Sequence, residues 1–374
     1  MTTGVAPRTR VAFDVGPLSG RRTGIGQAVE HLLTGLHGLP SPPVLVPYVL
    51  SFRAELSGGT ARLRYPASLA HRCWARWDHP RPDRMLGRPD VVHGTNYVVP
   101  PSKAARLVTV YDCWFLRHPD QVHPDIARAG QVLRRAVATG ATVHASSEAT
   151  AAAVRELLGA PRVEVIPLGP IPTPRPDGDT ARPAALADGR PFVLAIGTKE
   201  RRKNLPVLVR AFGSAHSSLG GCRLVLAGGD GDDAAAVAAA IDALPTEARA
   251  DVVTLGFVDD STRAWLTHRA EVLAYPSLDE GFGFPLLTAM AAGVPVVAST
   301  AGSIPEVVGT AGLLVDPADV EGLAAALVRA LDDTEWRAHA IDTGRHQAEQ
   351  FDWRTTASAL ADLYDALAME HRPA

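Results

Sequence analysis

The chain has 374 residues, 46% of them hydrophobic and 21% charged, and its formal net charge is −3. Because a single hydrophobic core rarely grows past about 250–300 residues, this length predicts two folded domains. No apolar run approaches the roughly 20 residues of a membrane span and no basic-plus-apolar leader precedes Val11, so we expect a cytoplasmic protein.

The first predicted elements are a strand over residues 11–14, a glycine-containing loop and a helix. The loop includes Arg21, Arg22, Gly24 and Gly26, and the helix carries apolar residues at helical spacing. A strand, glycine loop and helix in this order form a geometry that suits approach to a phosphate. A plain turn between strand and helix has the same pattern, and that alternative stays open.

A basic segment with two tryptophans follows between residues 62 and 88. Its members are Arg62, Arg64, His71, Arg72, Trp74, Arg76, Trp77, Arg81, Arg84 and Arg88. Arginine and tryptophan together suit a patch at a membrane interface. A solvated helix with its tryptophans packed inward explains the segment equally well.

Polar residues follow two buried strands, over residues 90–93 and 108–111. His93 and Asn96 accompany the first strand, and Asp112 follows the second. Since parallel sheets bind ligands at the carboxyl ends of their strands, these residues are candidates for a functional site. His93 could equally be a core histidine whose ring nitrogens are satisfied by neighbours.

A proline-rich stretch marks the domain boundary. Seven of the 25 residues from 167 to 191 are proline, which is typical of a semi-rigid linker. We therefore predict an N-terminal domain over residues 1–170, a linker over 171–190 and a C-terminal domain over 191–352.

A strand over residues 192–196 leads into Gly197, Thr198 and a basic run. Lys199, Arg201, Arg202 and Lys203 are four basic residues in five positions ahead of a predicted helix. Arginine offers a planar fork and lysine a point charge, so a bound diphosphate explains the run. A solvated helix face is the alternative interpretation.

The central motif of the C-terminal domain follows a short strand over residues 272–275. It reads Glu280, Gly281, Phe282, Gly283, Phe284, Pro285, and Gly293 closes the helix that follows. A glycine turn at a helix N-terminus receives anions, and Glu280 beside it can accept sugar hydroxyls. The pair predicts a phosphosugar ligand, whereas the alternative is a tight turn without a ligand.

This motif resembles the signature of the family-four retaining glycosyltransferases, in which two glutamates stand eight positions apart in a Glu-Gly-Phe-Gly-x-Pro run. Glu280 matches the first glutamate, but Thr288 stands where the second is expected. The resemblance extends over nearly the whole chain. It implies the α/β GT-B fold, two Rossmann-like parallel-sheet domains facing a central cleft, with a C-terminal helix over residues 353–370 crossing back to the N-terminal domain.

The resemblance also implies roles for individual residues. Arg202 and Lys203 would hold the donor diphosphate, and Glu280 a hydroxyl of the donor sugar. The acceptor side would be lined by His93, Asn96, Tyr111 and Asp112. The donor side would be lined by Gly24, Gly26, Gly197, Thr198, Phe257, Val258, Gly281, Phe282, Gly283, Phe284 and Thr288.

The activity implied is metal-independent transfer of a hexose, with retention, from a GDP-, UDP- or dTDP-linked donor to a saccharide or lipid-linked acceptor. We expect no metal, no cofactor and no nucleic-acid partner, since no Asp-x-Asp element suited to a divalent metal and no nucleic-acid reading motif is present. Residues 1–175 carry 21 Lys and Arg against 12 Asp and Glu, which suits an anionic partner such as the inner membrane face. A soluble acidic acceptor fits equally.

Two departures from the family pattern keep other interpretations open. Thr288 is too short to clamp two ribose hydroxyls, so the donor could be a dTDP sugar, which lacks the 2′ hydroxyl. Tyr111 stands where relatives commonly have histidine, and it cannot carry a proton-linked charge near pH 7. A non-catalytic sugar-nucleotide-binding relative that serves a partner enzyme is the main alternative function, and a sugar-nucleotide epimerase on the same fold is a third.

Overall fold

The computed structural model describes residues 8–20, 23–52, 54 and 59–371. Arg21 and Arg22 of the predicted phosphate-approach loop lie outside these described residues. The chain divides into two compact units, Met1–Gly169 together with Asp352–Ala374, and Pro170–Phe351. No helix in the described part is both long and apolar enough to cross a bilayer.

The first unit is built, within the described residues, on a parallel sheet of seven strands in the order β3-β2-β1-β4-β5-β6-β7. The strands are β1 (Arg10–Asp14), β2 (Val44–Val49), β3 (Ala61–Arg62), β4 (Val91–Gly94), β5 (Ala105–Val110), β6 (Thr142–Ala145) and β7 (Val163–Val165). The helices are α1 (Gly24–His37), α2 (Ala67–Trp74), α3 (Trp114–Arg117), α4 (Pro124–Ala138) and α5 (Glu148–Leu158). Every residue of β4 and β6 is buried, as expected for central strands of a parallel sheet covered on both faces.

The C-terminal helix, Trp353–His371, belongs to the first unit. It presents Leu360 and Tyr364 as buried residues, and the Tyr364 hydroxyl lies 2.7 Å from Nδ1 of His93 on β4. The Thr356 hydroxyl donates to the carbonyl of Pro167 at 2.7 Å. Apolar burial and these polar contacts together hold the end of the chain on the first sheet.

The second unit is built on a parallel sheet whose strands, within the described residues, run in the order β10-β9-β8-β11-β12-β13. These strands are β8 (Phe192–Ile196), β9 (Arg223–Ala227), β10 (Val252–Gly256), β11 (Val272–Tyr275), β12 (Val296–Ser299) and β13 (Gly312–Val315). The helices are α6 (Leu205–Ala215), α7 (Ala234–Asp242), α8 (Thr246–Ala250), α9 (Asp260–Arg269), α10 (Phe284–Ala292), α11 (Ile304–Val308), α12 (Val320–Asp332) and α13 (Thr334–Glu349).

The strand order has a direct consequence for function. In the second sheet the order reverses between β8 and β11, and in the first between β1 and β4. Open parallel sheets bind ligands outside the carboxyl ends of the strands at such a reversal point. The predicted α/β class with two Rossmann-like parallel-sheet units is confirmed.

Candidate active site

The candidate active site of the second unit lies where β8 and β11 end. Leu194 on β8 pairs with Leu273 on β11, so the loops that follow both strands leave the same edge of the sheet. The loop after β8 carries Gly197 and the basic run, and the loop after β11 leads to Glu280. The reversal point of the sheet therefore brings the two sequence-predicted motifs together.

Glycines allow the loop after β8 to touch the loop after β9. Gly228 has φ +158°, and a Cβ there would lie 1.8 Å from the carbonyl oxygen of Gly197, whose own φ is +140°. Beyond Gly197 the basic run forms a short 3₁₀ helix, Arg201–Lys203. Asn204 ends this turn in the left-handed conformation and donates through Nδ2 to the carbonyls of Pro276 (3.1 Å) and Pro317 (2.8 Å). These two hydrogen bonds hold the backbone that carries Arg202 and Lys203 against the loops after β11 and β13.

Three side chains converge on one oxygen of Glu280. Arg202 donates to Oε2 from Nη1 at 2.9 Å, Lys203 donates from Nζ at 2.6 Å, and the Tyr275 hydroxyl donates at 2.6 Å. The side chains of Arg202, Lys203 and Glu280 are only 15%, 12% and 12% exposed. The structure thus gathers the three residues that the sequence assigned to catalysis, and adds Tyr275 to them.

The electrostatics of this cluster favour an additional anion. Burial alone would raise the pKa of Glu280, but Arg202 and Lys203 outweigh it and lower that pKa to about 2. Burial and the neighbouring Arg202 lower the pKa of Lys203 in spite of Glu280. Two buried cations therefore share the one buried carboxylate, and the second carboxylate near them, Glu200, faces Arg202 at 3.6 Å from an exposed position. A diphosphate would supply the missing negative charge.

The loop after Glu280 ends at a helix N-terminus whose N-cap, Gly283, has no side chain to cap it. Gly283 is its N-cap with φ +88°, a conformation that favours glycine, and α10 begins at Phe284, one residue before the predicted Pro285. Gly302 approaches the same loop: a Cβ there would lie 2.4 Å from the carbonyl oxygen of Glu280. The helix dipole at this N-terminus favours negative charge beside Glu280.

The aromatic residues predicted for the donor side have different environments. Phe282 is buried, with its ring centroid 5.2 Å from that of Phe284 and 5.7 Å from that of Phe351. Phe257 is 52% exposed and follows β10 directly, with Val258 next to it. Phe282 therefore packs within the unit, whereas Phe257 presents a ring to solvent at the carboxyl edge of the sheet.

Thr288 does not resemble a ligand clamp. It is buried on α10, and its hydroxyl lies 3.4 Å from the carbonyl of Ile171, to which it donates. The hydroxyl is thus turned toward the chain segment that opens the second unit. The sequence motif did not predict this contact with the backbone.

His93, predicted for the acceptor side, lies in the core of the first unit. His93 is completely buried; its Nδ1 lies 2.7 Å from the Tyr364 hydroxyl and its Nε2 lies 2.8 Å from the Thr109 hydroxyl. Burial lowers the pKa of His93 well below its ordinary value, with the neighbouring His144 adding to this effect. His93 is therefore a neutral core histidine, and the expectation that it contacts an acceptor is corrected.

The other acceptor-side residues gather where β1, β4 and β5 end. The Oδ1 atom of Asn96 and the hydroxyl of Tyr111 are buried without a hydrogen-bond partner among the described residues. The Tyr97 hydroxyl donates to Oδ2 of Asp112 at 3.1 Å, and Tyr97 has a strained φ of +59°. Unsatisfied polar atoms and backbone strain in one place are typical of a ligand site.

Gly24 and Gly26 lie in the first turn of α1, where the helix start packs closely against the preceding loop. The hydroxyl of Thr23 accepts from the amide of Gly26 at 3.2 Å and caps the helix. A Cβ on Gly26 would lie 2.8 Å from the carbonyl of Pro17. The glycine at this position is therefore explained by local packing, which is the plain-turn alternative.

Sequence reasoning missed two residues of these sites. Tyr275 is the last residue of β11 and Asp14 the last of β1, both at the reversal points of their sheets. Burial raises the pKa of Asp14 to about 7, although the Gly16 amide donates to it at 2.8 Å. The signal that could have found both was present: a polar side chain that ends a predicted parallel strand.

The comparisons with known proteins agree with this geometry. Residues 190–333 match the family model of the glycosyl transferases group 1. Over 193 residues the chain is 32% identical to a phosphatidyl-myo-inositol mannosyltransferase of Mycolicibacterium smegmatis, covering 49% of this chain and 48% of that protein. Over 120 residues it is 44% identical to an MMP alpha-(1->4)-mannosyltransferase of Mycolicibacterium hassiacum, covering 31% and 29%.

The fold is shared with solved structures. Anabaena HepE in complex with UDP and glucose superimposes with a TM-score of 0.73 at 18% identity, covering 96% of this chain and 100% of that chain. The aligned segments span 29–48% of the length of the first curated relatives. The chain has the GT-B fold, and residues 190–333 of its second unit are similar to the group 1 glycosyl transferases. Its relatives include mannosyltransferases.

Proposed function

We propose that the protein is a metal-independent, retaining glycosyltransferase that moves a hexose from a nucleotide diphosphate sugar to a saccharide or lipid-linked acceptor. The observation that carries the proposal is the convergence of Arg202, Lys203 and Tyr275 on Glu280 at the reversal point of the second sheet. The two buried cations and the buried Glu280 leave a net positive charge that suits a diphosphate, since the other carboxylate near Arg202, Glu200, is 43% exposed and screened by solvent. Glu280 is then available to hold a sugar hydroxyl.

The chemistry follows from these charges. The bond between the anomeric carbon and the diphosphate oxygen breaks, and the acceptor oxygen bonds to the same face of that carbon. The acceptor proton passes to the leaving phosphate oxygen, so both charge and proton end on the nucleoside diphosphate. Arg202 and Lys203 stabilise the negative charge that develops there, a type of interaction worth about 2.7–4 kcal/mol of barrier for each donor lost.

The donor is proposed from the relatives and from Thr288. The named relatives are mannosyltransferases, which favours a mannosyl donor, and HepE was solved with UDP and glucose. Because Thr288 donates to the backbone of Ile171, it offers no clamp for two ribose hydroxyls, and a dTDP donor stays open. Calorimetric titration of GDP, UDP and dTDP distinguishes these donors; tight GDP or UDP binding without dTDP binding removes the dTDP idea.

The acceptor proposal uses the basic segment of the first unit. Trp74 is buried and donates from Nε1 to the carbonyl of Pro80 at 3.1 Å, whereas Trp77 is 59% exposed and Leu69 is 56% exposed. One tryptophan thus packs inward, and the other lies among exposed arginines. Exposed Trp77 with these cations suits an anionic membrane face carrying a lipid-linked acceptor. Co-sedimentation with anionic vesicles should fall in Trp77→Ala, and no retention of the wild type at low salt rejects the membrane contact.

A turnover assay tests the proposal as a whole. The protein is incubated in EDTA with GDP-mannose, UDP-glucose or a dTDP-hexose and with a panel of saccharide and lipid-linked acceptors, and nucleotide release and the anomeric configuration of the product are followed. Release that persists in EDTA with retained configuration supports the proposal. Donor binding without any release supports the non-catalytic alternative, and inverted configuration overturns the retaining mechanism.

A further inference from the structure

A second basic site lies in the first unit, on the edge of the sheet opposite the strand ends described above. A cavity of about 340 Å³ opens where β5 and β6 begin and where α4 and the C-terminal helix end. Its lining includes Asp78, Arg81 and Arg106. We call this cavity, together with Arg135 beside it, the arginine groove.

Three guanidinium groups of the arginine groove lie near Asp78, and only one of them contacts its carboxylate. Arg135 approaches Oδ2 of Asp78 with Nη2 at 3.5 Å, and Arg81 donates from Nε to the Asp78 carbonyl at 3.1 Å. Arg106 donates to the carbonyl and the hydroxyl of Thr139, just past the end of α4. The Nε of Arg135 is buried and has no hydrogen-bond partner among the described residues. Each guanidinium group has five N–H donors, and the acceptors offered by Asp78 and Thr139 are too few to satisfy all of those of the three arginines.

The charges around the groove confirm an excess of positive charge at this end. Burial lowers the pKa of Arg106, and Arg81 and Arg135 lower it further while Asp78 raises it. On the opposite wall of the groove the charge of Arg162 is compensated, because Arg162 forms ion pairs with Glu164 and Glu370. An anion is therefore favoured at the Asp78 end of the groove and not at the Glu370 end.

We propose that the arginine groove is a binding site for a phosphoryl group, separate from the nucleotide-sugar site of the second unit. Planar guanidinium forks match the oxygens of a phosphate monoester or diester in geometry and charge. A volume of about 340 Å³ lies at the lower end of the range for small-molecule sites, which leaves room for more than a bare phosphate. The phosphoryl group can belong to a soluble phosphorylated metabolite or to a phospholipid headgroup.

The test uses the full-length chain in the Arg202→Ala background, so that phosphate binding in the second unit does not contribute. Inorganic phosphate and glycerol 3-phosphate are titrated by calorimetry at low salt, and hydrogen exchange is followed on peptides covering residues 136–145. A parallel series uses phosphatidylcholine vesicles with and without about 30% phosphatidylglycerol. Arg81→Gln and Arg135→Gln remove groove donors, and Arg134→Gln is the matched control because Arg134 is exposed, adjoins Arg135 on α4 and does not line the cavity.

We expect each groove substitution to weaken binding at least tenfold, the control to leave it unchanged, and bound ligand to protect residues 136–145 from exchange. Binding of the soluble phosphates identifies a metabolite, and binding of anionic vesicles alone identifies a lipid headgroup; both support the site when Arg135→Gln weakens the binding, since contact through Trp77 does not depend on Arg135. Because Arg81 is exposed, its substitution leaves the fold intact and keeps the result interpretable. No binding of any probe overturns the proposal, and so does binding that Arg81→Gln and Arg135→Gln do not affect.

Discussion

Glu280→Gln tests the electrostatic account of the second unit most fully. The substitution keeps the size of the side chain but changes the net charge of the Arg202, Lys203 and Glu280 cluster from +1 to +2. The pKa of Glu280 is lowered from 4.5 to about 2. At 1.36 kcal/mol per unit, the carboxylate stabilises the folded second unit by about 3 kcal/mol at pH 7.

The pH dependence has a defined sign. Because the folded pKa is depressed, the stabilisation is fully present above about pH 4.5 and is lost as the pH falls through about 2. The difference in unfolding free energy between wild type and Glu280→Gln should therefore be about 3 kcal/mol at pH 7 and about 1 kcal/mol smaller at pH 4. Neutral glutamine also removes repulsion of a diphosphate, so nucleoside diphosphate affinity should stay or rise while turnover falls at least about 100-fold.

The measurement must report the second unit, since a chain with two units need not unfold in one step. Hydrogen exchange as a function of urea, followed on peptides that cover β11 and α10, gives the required free energy. Glu200→Gln is the matched control, because Glu200 also faces Arg202, at 3.6 Å, but is 43% exposed. This substitution should lower the unfolding free energy of the second unit by less than about 0.5 kcal/mol. A Glu280→Gln variant as stable as this control would refute the reasoning.

Three further predictions address the neighbouring residues. Gly302→Ala should lower turnover about 100-fold, because the added Cβ would displace the Glu280 backbone. Gly220→Ala is the control and should leave turnover unchanged, because Gly220 has nearly the same φ (+57° against +56°) and a Cβ there would have no atom within 4 Å. Equal activity of the two variants would contradict the packing argument. Tyr275→Phe removes one donor to Glu280 and should destabilise the second unit by about 1 kcal/mol in the same exchange experiment, and no change would show that the hydroxyl contributes nothing. Asp14→Asn should stabilise the first unit more at pH 9 than at pH 3.8, because the carboxylate costs stability as the pH rises from its ordinary pKa of 3.8 to its folded pKa of about 7, and the cost is constant above that. Since the side chain is partly exposed we expect a difference of about 2 kcal/mol between the two pH values, and a pH-independent effect would contradict the prediction.

Local signals in the sequence were sufficient to predict the main elements of the site. The strand Val272–Tyr275, the glycine at 283 and the C-cap at Gly293 follow from apolar runs and from glycine conformational preferences, and all three occur in the structure. The convergence of Arg202 and Lys203 on Glu280 was also predictable, because parallel strands adjacent at a reversal point bring their loops together.

Long-range contacts account for what the sequence could not predict. The direction of Thr288 depends on the carbonyl of Ile171, which lies 117 positions away along the chain. The state of His93 depends on Tyr364 of the C-terminal helix, 271 positions away. A motif position defines a residue type and an element, but the partner of a buried polar side chain is fixed by packing. Tyr275 was overlooked because it also reads as one more apolar residue of a buried strand.

The proposed function depends on Arg202 and Lys203 together holding the diphosphate of the donor. Calorimetric titration of nucleoside diphosphate into the wild type, Arg202→Ala, Lys203→Met and Arg201→Ala tests it directly; Arg201 is the adjacent, exposed arginine and serves as the control. We predict a loss of about 10- to 150-fold in affinity for the first two variants, the equivalent of a charged hydrogen bond, and little change for Arg201→Ala. Wild-type affinity in Arg202→Ala and Lys203→Met would contradict the claim.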